Sequence, residues 1–122
     1  MKKLLILLFS ILISLNSYGE TETDYYENGQ IRTETNYKDD KLDGKWTYWH
    51  KNGQKSEERN YKDGKQDGKR TEWHENGQIR TEENYKDGKQ DGIRTEWHEN
   101  GQIRLEENYK DGKLVSQTDY FY

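Results

Sequence analysis

The tripeptide Asn-Gly-Gln occurs four times in this chain of 122 residues, and each copy begins 24 residues after the one before it. The copies begin at Asn28, Asn52, Asn76 and Asn100. A fixed period of this length is typical of tandem-repeat proteins, in which each unit packs mainly on its neighbours. Because repetition of one short unit builds a surface rather than one asymmetric cleft, the period disfavours an enzyme.

Each repeat unit is predicted to form β-hairpins. In residues 73–96, the turns Glu75-Asn76-Gly77 and Lys86-Asp87-Gly88 flank an alternating segment, and Asn-Gly and Asp-Gly are strong hairpin signals in that context. The predicted fold class is all-β, a single-layer antiparallel β-meander of about eight strands in units 25–48, 49–72, 73–96 and 97–120, with a partial unit 121–122. The predicted turn glycines are Gly29, Gly53, Gly64, Gly77, Gly88, Gly101 and Gly112.

The alternation of side chains between the two faces of a strand predicts the length of both loops. A three-residue loop ending at Gly77 pairs Trp73 with Ile79 and keeps both on one face, whereas a slip of one residue would expose a Trp at a cost of about 2 kcal/mol. The same reasoning predicts a three-residue loop at the second turn, with Tyr85 opposite Lys89. The expected sheet carries Trp, Tyr and Ile on one face and Arg, Glu, Asn and His on the other.

The first 19 residues resemble a secretory signal peptide. Lys2 and Lys3 precede an apolar run from Leu4 to Leu15, and small residues precede a cleavage point before Glu20. We therefore predict a signal helix, then an exported array over residues 20–122. The apolar run is short for a stable membrane span, which needs about 20 residues. No Cys follows the run, so a lipid-anchored lipoprotein is excluded.

The charge of the exported part limits its partners. Removal of residues 1–19 leaves 18 basic and 24 acidic residues, a net charge of −6. Nucleic-acid binding relies on a basic face, so nucleic acid is not expected as a partner. Aliphatic residues are too few for a two-layer core, so we expect a thin fold in which aromatic rings cover one side of the sheet.

Three polar patterns are better explained by structure than by chemistry. His50, His74 and His98 lie two strands apart, about 9.6 Å, which is too far to share a zinc ion. The Asp-Gly-Lys-Gln-Asp segments carry Lys where a calcium loop needs a ligand. The adjacent pairs, such as Glu82 and Glu83, are split between faces, so they are expected in ion pairs rather than in glycosidase chemistry. We predict no catalytic residue, metal site or cofactor.

The aromatic residues are the candidate binding site. Tyr25, Trp49, Trp73 and Trp97 recur at the 24-residue period, and Trp46 lies outside that column. These rings are expected to form the core, and in a single-layer sheet part of the stripe is also exposed to a partner.

The segment from Tyr61 to Gly68, followed by Trp73-His74-Glu75-Asn76-Gly77, resembles the variant MORN repeat, and the match recurs at Tyr37, Tyr85 and Tyr109. Two departures occur: Asp40 replaces the first turn Gly in unit one, and the second Asp-Gly is lost in the last unit. The resemblance extends to bacterial antitoxins of the YwqK-like family, and it implies a protein that binds and neutralises a partner.

Three functions follow as hypotheses. The leading one is a non-enzymatic, exported protein-binding repeat, antitoxin- or immunity-like, with a basic protein partner favoured by the charge. A cell-wall or glycan-binding aromatic array is the second. The third is a surface spacer that associates edge to edge, since the apolar stretch from Val115 to Tyr122 is either a cap or an open edge.

Overall fold

The computed structural model describes residues 11–16 and 19–122, and within these residues all regular structure is β-strand. Twelve strands form one sheet, in which neighbours along the chain pair antiparallel. The strands are β1 Ile11–Asn16, β2 Gly19–Tyr25, β3 Ile31–Lys38, β4 Lys41–Trp49, β5 Lys55–Lys62, β6 Lys65–Gln66, β7 Gly68–Trp73, β8 Ile79–Lys86, β9 Lys89–Gln90, β10 Gly92–Trp97, β11 Ile103–Lys110 and β12 Lys113–Asp119.

The strand order confirms the single-layer meander, but the prediction of about eight strands was too low. The order is β1-β2-β3-β4-β5-β7-β8-β10-β11-β12, with the two-residue strands β6 and β9 paired to β5 and β8. The extra strands arise because a bulge interrupts the second hairpin strand in two of the units, and because β1 adds a strand at the start.

The N-terminal segment differs from the predicted signal helix where the structure describes it. Residues 11–16 form β1, which pairs with β2 from Ile11↔Asp24 to Asn16↔Gly19. The rest of the predicted signal peptide, residues 1–10 and 17–18, lies outside the described residues. Within the described part of the chain, no helix is long and apolar enough to cross a membrane.

The first turn of each unit has the predicted three-residue loop. The His74 backbone N–H donates to the Gln78 carbonyl at 2.8 Å, and the Gly77 N–H donates to the His74 carbonyl at 2.9 Å. Gly77 has a φ of 88°, and Trp73 lies opposite Ile79. This combination of a type I turn and a left-handed glycine is the three-residue hairpin with a G1 bulge. The same bonds recur in the other units.

The predicted three-residue second turn was wrong. Lys86 pairs with Lys89 and Tyr85 with Gln90, so the loop contains only Asp87 and Gly88. Both loop residues have positive φ, 49° and 82°, as a type I′ turn requires. That turn type matches the twist of the flanking strands, and this preference outweighed the parity argument. All seven predicted turn glycines have φ between 81° and 88°.

The prediction that Trp and Tyr share a face was also wrong. Trp73 pairs with Ile79 but Glu72 pairs with Thr81, which leaves Arg80 as an extra residue in β8. The extra residue reverses the alternation, so Tyr85 lies opposite Gly68 on the face away from Trp73. We call the face that carries Tyr25, Trp49, Trp73 and Trp97 the Trp face, and the other, which carries Arg70, Glu83, Arg94 and Tyr85, the Arg–Glu face.

A third bulge in each of the first three units is stabilised by an asparagine side chain. The side-chain amide of Asn84 donates to the Ile93 carbonyl at 3.0 Å, and Asn36 and Asn60 make the equivalent bonds at 2.7 Å. The bulge contains Gly92, whose φ of 106° excludes most side chains. In the last unit Ser116 takes the place of this glycine. The strand register there shifts by one residue less than in the earlier units, and β12 continues as a single uninterrupted strand.

The interior of this sheet is polar. Within the described residues no hydrophobic side chain is buried, and the buried residues are Thr23, Thr47, Thr71, Thr81 and Glu83. Threonine and glutamate therefore occupy the positions that a two-layer fold would give to aliphatic residues. It follows that ladder hydrogen bonds, cross-strand pairs and ion pairs contribute an unusually large share of the stability.

Asp40 carries backbone strain that its counterparts in later units avoid. Asp40 has a φ of 62°, where the later units have Gly64, Gly88 and Gly112. We expect Asp40→Gly to raise the free energy of unfolding by about 0.5–1 kcal/mol, because glycine adopts this conformation without a steric cost. Urea denaturation measures the change. Asp40→Asn is the control, since it removes the charge but keeps a side chain, and an equal gain from it would contradict the strain explanation.

Candidate functional site

The Trp face carries a row of large side chains beside the first turns. Tyr25 pairs with Ile31, Trp49 with Lys55, Trp73 with Ile79, and Trp97 with Ile103. Equivalent rings lie two strands apart, about 9.6 Å at the usual strand spacing. All four rings are half-buried, and the Lys55 ammonium lies 5.9 Å from the centre of the Trp73 ring. The sequence correctly grouped these four rings on one side of the sheet.

A row of carboxylates runs beside the aromatic row on the same face. Its members are paired with threonines on both neighbouring strands and follow the 24-residue period: Glu34, Glu58, Glu82 and Glu106. Lys55 and Lys45 approach Glu58 at 2.8 and 3.4 Å, and Lys69 pairs with Glu82. Burial alone would raise the pKa of Glu58, but the hydrogen bonds and charges of Lys55 and Lys45 outweigh it and lower that pKa.

The two rows border an open groove at the N-terminal end of the array. The groove encloses about 480 Å³, and its walls include Trp49, Thr47, Glu34, Glu58, Lys45 and Lys55. One wall therefore offers an aromatic surface and another offers carboxylates. Lys55 and Lys45 already pair with Glu58, so a side chain with an apolar stem and a cationic end would stack on Trp49 and compete with these lysines for the carboxylates.

Trp46, the fifth predicted binding residue, lies on the opposite face. Its ring lies nearly parallel to that of Tyr48, at 8° and with 6.3 Å between ring centres. The Arg59 guanidinium lies 5.0 Å from the centre of the Trp46 ring, and the hydroxyl oxygens of Tyr48 and Tyr26 lie 3.2 Å apart. The structure thus separates the predicted set into a row of four and a distinct patch around Trp46.

The Arg–Glu face carries a continuous ladder of ion pairs across five strands. Arg70 donates to Glu57 at 2.7 Å and to Glu83 at 3.2 Å. Arg94 donates to Glu83 at 3.0 Å and to Glu107 at 2.8 Å. Glu83 is only 5% exposed, so its carboxylate depends on both guanidinium groups. The sequence indicated ion pairs for these glutamates, but gave no sign that one of them would be buried.

The ladder shifts the pKa values of its central residues. Burial would raise the pKa of Glu83, but hydrogen bonds from Tyr85 and Arg94 and the charges of Arg70 and Arg94 lower it overall. Burial, with the hydrogen bond to Glu83, raises the pKa of Tyr85 to about 12. The Tyr85 hydroxyl lies 2.8 Å from the Glu83 carboxylate, and loss of its proton would place two negative charges together.

This arrangement predicts a loss of stability at high pH. Because the pKa of Tyr85 is raised from 10.0 to about 12 on folding, its contribution is fully present below pH 10 and is lost as the pH rises towards 12. We expect Tyr85→Phe to be less stable than wild type at pH 8, and the difference to shrink or reverse by pH 12. Urea denaturation at both pH values measures it. A difference that is independent of pH would contradict the assignment.

His74 occupies a structural position, whereas among the described residues the buried Nε2 of His50 has no hydrogen-bond partner. His74 Nε2 lies 3.0 Å from the Trp97 carbonyl oxygen. Tyr26 occupies the equivalent position in unit one, and its hydroxyl donates to the Trp49 carbonyl at 2.6 Å. His74 and Tyr26 therefore each link one unit to the next. Among the described residues, no group of three or more His, Cys, Asp or Glu side chains is placed to hold a metal ion.

Comparison with known proteins agrees with this geometry. The family model for the MORN repeat variant matches four stretches, residues 21–39, 42–63, 66–87 and 90–111. The chain belongs to the MORN repeat variant family. No curated protein matches it significantly. The family assignment confirms the repeat class that the sequence indicated, and it leaves the antitoxin subgroup as a proposal.

Three solved structures resemble the fold at low identity. They are the crystal structure of TarM (12% identity, 93% of this chain, 22% of that chain, TM-score 0.48), accessory secretory protein 1,2 and 3 in Streptococcus pneumoniae (14%, 84%, 18%, 0.31), and the GtfA/B complex bound to UDP and GlcNAc (15%, 89%, 24%, 0.41). The chain spans a quarter or less of the length of each.

Proposed function

We propose that this MORN-variant chain is an exported, non-enzymatic binding module that holds a basic segment of a protein partner on its Trp face. The observation that supports this proposal is the pair of parallel rows, one aromatic and one acidic, on an open face of the sheet. Half-buried Trp rings are common anchors of protein interfaces. Carboxylates with a 24-residue period would align cationic side chains beside those anchors.

Export is supported by the sequence alone. Lys2 and Lys3 before the apolar run, and the small residues before Glu20, have the order of a cleavable signal. Within this proposal the chain neutralises its partner by covering it, as an immunity protein or an antitoxin does. An acidic, non-catalytic sheet suits that role, since occupying a basic surface requires complementary charge rather than chemistry.

Capture from native extract tests the proposal. A tagged full-length chain, purified from the envelope fraction and from the medium, should retain one dominant protein with a basic surface. Retention should weaken at high ionic strength, because exposed charge pairs are screened. The double variant Glu58→Gln/Glu82→Gln should retain at least tenfold less of that protein. Failure to recover any protein, or equal recovery by the double variant, would refute the proposed mode of binding.

A glycan ligand is the alternative, and the near-parallel Trp46–Tyr48 pair favours it. Flat aromatic surfaces can stack on sugar rings, and this patch lies on the Arg–Glu face, away from the Trp row. Retention of the chain on purified cell-wall material, lost in Trp46→Ala and kept in Trp73→Ala/Trp97→Ala, would assign the glycan to this patch. Loss only in the double variant would assign it to the Trp row instead.

A further inference from the structure

The last strand, β12, leaves one edge of the sheet open. All seven of its residues are exposed, and it pairs with β11 on one side. Leu114 is 49% exposed and Val115 is 63% exposed, and Phe121 just beyond the strand is 92% exposed. No charged residue lies between Lys113 and Asp119. Natural sheets usually protect such edges with charge, proline or bulges, and the central part of this edge has no charge or proline.

The outward backbone groups of β12 follow from one hydrogen bond. The Tyr120 N–H donates to the Arg104 carbonyl at 3.0 Å, so Tyr120 points its backbone groups towards β11. Antiparallel strands alternate in this respect. Gln117 and Asp119 therefore direct their N–H and C=O groups away from β11, where a further strand would pair with them.

We propose that β12 pairs with β12 of a second copy of this chain, antiparallel and centred on Thr118. In this register, Thr118 faces Thr118 of the second copy, and Gln117 faces Asp119. Val115 faces Phe121, so two exposed large apolar residues, 63% and 92% exposed, cover each other. Thr–Thr pairs, apolar pairs and an amide beside a carboxylate are all favourable across strands.

The neighbouring registers are worse. Centring on Asp119 would place two like charges directly opposite, which is destabilising. Centring on Gln117 would place Val115 against Asp119. Centring on Ser116 would bring the irregular step at Val115 into the new ladder, because β12 shifts register between Leu114 and Ser116. The register centred on Thr118 keeps its central pairs, Thr118 with Thr118 and Gln117 with Asp119, within the regular part of the strand.

A second copy fits this edge better than the opposite edge of the array does. The opposite edge of the described sheet is β1, which lies within the predicted signal peptide. Cleavage before Glu20 would leave β2 as that edge, and there Glu20, Glu22 and Asp24 place like charges that disfavour strand pairing. Pairing β12 with itself forms a closed two-fold dimer, whereas pairing with the other end of the array would form open filaments. This inference concerns the sheet edge and is independent of what the Trp face binds.

Disulfide trapping tests the register. The chain contains no cysteine, so Thr118→Cys introduces a single thiol. The two copies of residue 118 would form a non-hydrogen-bonded pair, about 4.5 Å between Cα atoms, within the range of a disulfide. Ser116→Cys is the control, since its two copies would be about 14 Å apart, four residues along the strands. We expect Thr118→Cys to form the covalent dimer at least tenfold faster. Equal rates would overturn the register.

Sedimentation of the full-length chain tests the association itself. The mass should rise from 14.7 kDa towards twice that value as concentration increases to about 500 µM, because a single strand pair buries little area and binds weakly. Gln117→Pro should remain monomeric, since the N–H that it removes points away from β11. Its circular dichroism should match wild type. A monomeric wild type, open filaments, or a dimeric Gln117→Pro would overturn the proposal.

Discussion

Replacing Glu83 by alanine should lower the free energy of unfolding by about 2–3 kcal/mol, among the largest effects of any single substitution in this sheet. Glu83 is 5% exposed and contacts both Arg70 and Arg94. Its removal leaves two guanidinium groups, 17% and 21% exposed, without their shared carboxylate. Breaking a buried pair costs several kcal/mol when one charge remains, and the partial exposure of both arginines reduces that figure.

The adjacent residue provides a matched control for Glu83. Glu82 lies on the Trp face, where its side chain is 24% exposed and pairs with Lys69. Glu82→Ala should cost less than about 1 kcal/mol, as is usual for exposed ion pairs. Urea denaturation of the two variants at pH 7 gives the comparison. Equal losses would show that the ladder on the Arg–Glu face adds nothing beyond ordinary solvated pairs.

The sequence predicted the repeat, the antiparallel sheet and the first turn because each depends on local chemistry. The Glu75-Asn76-Gly77 loop was chosen from two alternatives by requiring Trp73 and Ile79 to share a face, and that pairing is observed. The Asn76 carboxamide oxygen also accepts a hydrogen bond from the Gln78 N–H at 3.0 Å. This turn could be predicted because one apolar residue lies on each side of it.

The second turn could not be predicted in the same way, because the argument assumed that every ring lies on one face. Tyr85 has a polar function: its hydroxyl bonds to Glu83 and belongs with the ion pairs. The extra residue Arg80 then changes the face on which the following side chains lie. A bulge does not show in the alternation of polar and apolar residues along the sequence. The alternation therefore predicted the face of each side chain correctly only up to the first bulge of a unit.

The candidate site was predicted only in part for the same reason. Tyr25, Trp49, Trp73 and Trp97 occupy equivalent positions before the bulges, so their common face followed from the period. Glu58 and Glu82 could not be assigned to that face without the register. Trp46 replaces the arginine that Arg70 and Arg94 provide in later units. The change of residue type within a repeat column was the signal that set Trp46 apart.

Truncation of two rings of the Trp row should weaken binding of the protein partner at least a hundredfold. The variant is Trp49→Ala/Trp73→Ala, which removes the ring at the groove and the next ring along the row. Central Trp residues contribute 2 kcal/mol or more each at many interfaces, and every 1.4 kcal/mol changes affinity tenfold. Isothermal titration of the captured partner into the purified chain measures the loss.

Two controls separate binding from folding in this experiment. Trp46→Ala removes a ring from the Arg–Glu face, so its affinity should stay within about threefold of wild type. Glu58→Gln keeps every ring and the shape of the side chain but removes one charge from the acidic row, and it should weaken binding several-fold. Its urea midpoint, measured alongside, gives the separate cost of losing the pairs with Lys55 and Lys45. If Trp46→Ala lost as much affinity as the double variant, the partner would bind the Arg–Glu face, and the role assigned to the Trp row would be wrong.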